Sequence, residues 1–182
     1  MIERSDAMTS PFPGFVSPAA GFEQPFDMLA ACHERLQRSL ALLDRLIGHI
    51  DERGHDASSR AAAGDVMRYF DLAAPAHHLD EERHVFPLLL AQDVAVLTST
   101  VHDLIRNHQR FAALWALLRV PLAAWADGDM AAVTATARAA VAEFQTLHIA
   151  HLQREDELVF PTAMCRAPKA PWGSGSLQSH GA

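Results

Sequence analysis

Cysteine is almost missing from this chain of 182 residues, occurring only at Cys32 and Cys165. Two cysteines so far apart make neither a disulfide framework nor a zinc-finger spacing, so two free thiols in a reducing compartment are expected. Basic residues are in the minority, 15 Lys and Arg against 22 Asp and Glu, for a net charge of −7. A nucleic-acid footprint needs a basic face, so no nucleic-acid partner is expected. No stretch approaches the roughly 18 consecutive apolar residues of a membrane span, and the N-terminal stretch lacks the apolar core of a secretory signal. The expectation is a cytoplasmic protein with no membrane partner. Alternation with period two over strand length is also lacking, which points to an all-α fold.

What is present is Ala and Leu, the strongest apolar helix formers, with prolines crowded toward the two ends. Residues 1–24 hold Pro, Gly, Ser and Phe without helical periodicity and read as an N-terminal arm, and residues 166–182 read as a disordered C-terminal tail. Between them, residues 25–165 read as one domain. A first helix is predicted from about Pro25 to Ile50, because Leu29, Leu36, Leu40, Leu43 and Ile47 recur at the spacing of one buried stripe. A second runs from about Ser58 to Leu90, with a kink or break expected at Pro75 and at Pro87. Residues 93–100 form a connection, and a third helix runs from near Thr100 to Ala126 with a bend before Pro121. After a turn at Asp127-Gly128-Asp129, a fourth helix extends from about Asp129 to Cys165. The predicted architecture is an up-down-up-down four-helix bundle.

The chain also repeats itself. His33-Glu34-Arg35-Leu36 is echoed about 75 residues later by His108-Gln109-Arg110-Phe111. His77, Glu81, Glu82, Val85, Phe86 and Pro87 are echoed by His151, Glu155, Asp156, Val159, Phe160 and Pro161. Each half therefore supplies one lone His and one H-x-x-x-E pair. Residues four apart on a helix lie one above the other, so His77 with Glu81, and His151 with Glu155, can each aim a nitrogen and a carboxylate at one point. Imidazole with carboxylate suits iron, zinc or manganese better than calcium. Four facing helices can bring such groups together on a bundle axis. The predicted ligand set is His33, His77, Glu81, His108, His151 and Glu155. If each carboxylate bridges, two metals each hold two imidazoles and two carboxylate oxygens. The plain alternative is a buried polar network without metal, which would leave buried charges poorly compensated.

The segments H-H-L-D-E-E-R-H-V-F-P and H-I-A-H-L-Q-R-E-D-E-L-V-F-P, with His33 and His108 upstream, resemble the hemerythrin-like (HHE, cation-binding) family over residues 25–165. The resemblance implies a four-helix bundle with a non-haem centre of two Fe ions, oxo- or hydroxo-bridged, held by those same six residues. One departure bears on function. Oxygen-carrying hemerythrins have a fifth His in an H-x-x-x-H pair on the third helix, whereas the positions four before and four after His108 are Leu104 and Ala112. Their last motif is H-x-x-x-x-D, in place of the spacing of His151 and Glu155 here. The chain is more similar to the bacterial branch linked to oxygen or nitric-oxide sensing, iron handling and iron–sulfur repair.

Other residues read more plainly. His84 and His148 return to nearly the same face as the ligands and are candidates for support, packing or alternative ligation. His78 turns about 100° away from His77 and is expected at an exposed or interface position. Glu82 and Asp156 read as solvated carboxylates, and Tyr69 as a core or interface residue. Three functions compete: a protein binding or sensing O₂, NO or a related small oxidant, or handling iron; a di-iron oxidoreductase acting on peroxide or NO; and a metal-stapled helical module docking to a protein partner. The arm and tail are candidates for forming a homodimer.

Overall fold

The computed structural model describes residues 25–129 and 132–167; the arm at 1–24 and residues 168–182 lie outside the described residues. The described residues are all helical in their regular parts, and form four long helices, α1 to α4.

Helix α1 spans Pro25–Arg53 and buries the stripe read from the sequence, Leu29, Leu36, Leu40, Leu43 and Ile47, together with Leu46 and Ile50. It ends where Gly54 takes φ 80° and returns its N–H to the Ile50 carbonyl at 3.0 Å, a left-handed cap for which glycine needs no strain. Helix α2, residues 57–90, opens with a reciprocal cap. The Asp56 carboxylate accepts from the Ser59 N–H at 2.9 Å, and the Ser59 hydroxyl accepts from the Asp56 N–H at 2.9 Å.

The prolines do not break the helices. Pro75, Pro87 and Pro161 each follow a single π-turn: Tyr69–Ala73, Glu81–Val85 and Glu155–Val159. A proline has no N–H to give and its ring crowds the carbonyl four residues back. The chain resolves this by adding a residue to the turn. Ala74, Phe86 and Phe160 donate five residues back, to the carbonyls of Tyr69, Glu81 and Glu155. The helix is thus not broken at Pro75 or Pro87; the perturbation takes the form of a wider turn in a continuous helix.

Helix α3 spans Ala95–Asp127 and starts five residues before the expected Thr100, after an extended Val94 (φ −100°, ψ 118°). The connection from α2 is correspondingly short. Pro121 lies inside α3, which stays α-helical to Asp127 and is closed by Gly128 at φ 84°. Helix α4, residues 135–164, begins later than the expected Asp129, because the Thr134 hydroxyl caps it by accepting from the Ala137 N–H at 3.1 Å.

The helices pack in a ring of neighbours, α1 on α2 and α4, α3 on α2 and α4. Two apolar clusters fill the interior. One holds Leu36, Leu43, Val66, Phe70, Phe111, Leu114, Phe144 and Leu152, and the other Leu29, Val85, Phe86, Leu104, Val159 and Phe160. On every helix the candidate ligands fall between a residue of one cluster and a residue of the other: Leu29, His33, Leu36 on α1, and Leu104, His108, Phe111 on α3. A polar layer is sealed between two apolar ones. Among the described residues no helix is long and apolar enough to cross a membrane.

Candidate metal centre

Each helix gives the polar layer what its register dictates. The lone histidines come from the middle of α1 and α3, and the H-x-x-x-E pairs from α2 and α4, where an ordinary α-turn joins His to Glu (the Glu81 N–H donates to the His77 carbonyl, that of Glu155 to the His151 carbonyl). The π-turn begins at the glutamate in both cases. All six residues are buried, and Glu81 and Glu155 are 0% exposed.

The structure brings all six together in two overlapping groups. His33, His77, Glu81 and Glu155 each offer a donor atom within 4.8 Å of the others, and so do Glu81, His108, His151 and Glu155. Both carboxylates belong to both groups. On one side His33 Nε2 lies 3.6 Å from Glu81 Oε1 and 3.3 Å from Glu155 Oε2, with His77 Nε2 3.2 Å from Glu81 Oε1. On the other, His108 Nε2 lies 3.6 Å from Glu81 Oε2, His151 Nε2 lies 3.0 Å from Glu155 Oε1, and the two Nε2 atoms are 3.2 Å apart.

Proximity is not pairing. All four oxygens of Glu81 and Glu155, together with His33 Nε2, are buried without a hydrogen-bond partner. A buried polar atom left unsatisfied costs about 1–3 kcal/mol, and more if charged. Inward-facing imidazole nitrogens and unpaired carboxylate oxygens around common points are what a first-row cation requires. The donor set fits such a cation.

The electrostatics agree. Burial, then the charge of Glu155, push the Glu81 carboxyl well above its ordinary value. Burial would raise Glu155 as well, but the imidazoles of His151 and His33 outweigh it and hold this carboxyl low. Burial would lower His33, yet Glu155 and Glu81 override it and raise the imidazole to about 10. His77, by contrast, is pushed down to about 3, chiefly by burial and then by His33. Protons are thus shared unevenly over closely spaced groups, and a cation entering the layer takes over their role.

Around the six, the structure departs from the reading of the sequence at two residues. Glu82 and Asp156 are not merely solvated: His108 Nδ1 donates to Glu82 Oε1 at 2.7 Å, and His33 Nδ1 to Asp156 Oδ1 at 2.8 Å. Those bonds turn the Nε2 atoms inward and fix the tautomer. The signal was present, since Glu82 and Asp156 are themselves repeat-matched, but their partners sit on another helix. His78 is half-buried, stacked on His108 with ring centroids 4.1 Å apart. His148 belongs to the packing: its Nδ1 donates to the Phe144 carbonyl at 2.8 Å and its ring stacks on Phe111 at 3.6 Å. His84 is exposed and joins none of the candidate groups. Tyr69 donates to the Cys32 carbonyl at 3.3 Å, an interface role as expected.

The comparisons with known proteins point the same way. An uncharacterised protein of Haemophilus influenzae is 33% identical over 104 residues, 57% of this chain and 59% of that one. The chain thus spans less than two thirds of the length of that relative. The family description "Hemerythrin HHE cation binding domain" matches residues 24–163, the span that carries both repeats and the whole polar layer. The chain belongs to the hemerythrin HHE cation-binding family.

Proposed function

We propose that this protein holds two iron ions in the polar layer and binds or senses O₂, NO or a related small oxidant through them. The observation that carries the reading is the sharing of Glu81 and Glu155 between two donor groups, each completed by two imidazoles. One cation would be held by His33 and His77, the other by His108 and His151, with both carboxylates reaching both. Such a pair supplies redox capacity and open coordination positions. The chain's own residues supply the rest. Glu82 and Asp156 orient two imidazoles, and the apolar clusters on either side exclude water. The short connections between α1 and α2 and between α2 and α3 suit the up-down-up-down order of such bundles. The reading includes the arm, bundle and tail organisation and a cytoplasmic setting.

The test is spectroscopic. Iron-loaded protein, reduced anaerobically and titrated with O₂ or NO, should develop new visible absorption in proportion to ligand. An unchanged spectrum with two irons bound contradicts the binding role. Multiple turnover of peroxide or NO, abolished by Glu81→Ala, reassigns the centre to an oxidoreductase.

A further inference from the structure

The internal repeat makes six positions alike, yet the two halves of the layer are not alike around them. His78 follows His77, whereas the residue that follows His151 is Leu152. Leu152 is 2% exposed within an apolar cluster. His78 instead faces the other half of the layer. One of its ring nitrogens lies within 4.8 Å of donor nitrogens of His108 and His151. Its Nε2 is buried and has no hydrogen-bond partner. Its ring stacks on His108 with an interplanar angle of 13° and lies 6.0 Å from His151, centroid to centroid.

Consecutive residues on a helix point about 100° apart, so they cannot share one cation, but they can serve two neighbouring ones. His77 belongs with His33, and His78 is placed beside His108 and His151. His108 Nδ1 is already engaged by Glu82 at 2.7 Å, which leaves its Nε2 to face inward. We infer that His78 is a third imidazole donor to the cation held by His108 and His151, so that the two cations occupy unequal sites. The inference rests on the metal reading above. An imidazole holds a cation in its own ring plane, so the parallel stack with His108 opens when both rings bind.

Substituting His78→Leu installs at this position the residue type found at its repeat counterpart and makes the halves alike. Wild type and variant are loaded anaerobically with ⁵⁷Fe²⁺, then compared by iron titration and Mössbauer spectroscopy. The wild type should show two quadrupole doublets of equal area and different splitting. In His78→Leu the doublets should converge, and the affinity for one of the two irons should fall about tenfold or more. His78→Gln, judged folded by circular dichroism, should do the same. A folded variant that keeps both affinities and both doublets overturns the inference, as does a wild-type spectrum with one doublet accounting for two irons. Wild-type protein that takes up no iron overturns the metal reading and the inference with it, and metal content alone distinguishes that outcome.

Discussion

At the scale of single residues, the carboxylates and the histidines of the layer differ in reach. Glu81 and Glu155 each lie in both donor groups, while His33 and His77 serve one and His108 and His151 the other. Glu81→Ala and Glu155→Ala should therefore each loosen both metals, leaving less than one per chain after gel filtration. His33→Ala and His77→Ala should each leave about one, since the opposite set of imidazoles is intact. Metal analysis by mass spectrometry reads the difference, and equal losses in all four variants would contradict the sharing of the carboxylates. These six positions were legible in the sequence because the repeat singled them out and helical spacing aims them together. Glu82 and Asp156 were not, for a common reason. Each holds a partner carried by another helix, His108 and His33 respectively, and a register within one helix does not specify what faces it.

At the scale of elements, apolar periodicity placed α1 to within a few residues, and Gly54 and Gly128 mark helix ends at positive φ. The starts of α3 and α4 were misplaced. Val94 and Thr134 end the preceding connections through backbone conformation and a cap, which no apolar stripe records. The π-turns were not legible either, because proline alone says that a helix is perturbed, while the neighbouring core decides whether it breaks or widens. Here the clusters around Phe86 and Phe160 hold the chain in helix on both sides of the disturbance. The α2–α3 contact carries a further prediction. Asp71 accepts from Trp115 Nε1 at 2.9 Å and from Arg119 Nε at 3.0 Å. Burial would raise its carboxyl, but Arg119 and Trp115 outweigh that and bring it below its ordinary value. A carboxyl lowered in the folded state stabilises above its unfolded pKa, and the contribution fades as pH falls through the folded value. Asp71→Ala should cost about 0.5 kcal/mol at neutral pH, given partial exposure of the pair. Thermal melts of the two proteins should begin to converge as pH falls below the ordinary Asp value of about 3.9. A gap that widens in acid would contradict this account of the contact.

At the scale of the whole molecule, the arrangement is a layered one: apolar core, polar layer, apolar core, with the four helices sharing the cost of the middle. Buried carboxylates without donors destabilise a fold unless something compensates them. A cation that binds only the folded chain stabilises it by mass action. Removal of metal with a chelator should therefore lower the melting temperature by several degrees, with re-addition of iron restoring it. A melting temperature indifferent to chelation, in protein shown to have held metal, would contradict the compensating role.

The most direct measurement is an anomalous difference map at the iron absorption edge, from crystals of iron-loaded protein. Two peaks are predicted within the polar layer, roughly 3.5–4 Å apart as in other two-metal sites, one beside His33 and His77 and one beside His108 and His151, with Glu81 and Glu155 between them. A single peak outside this layer, or none within it, would contradict the account.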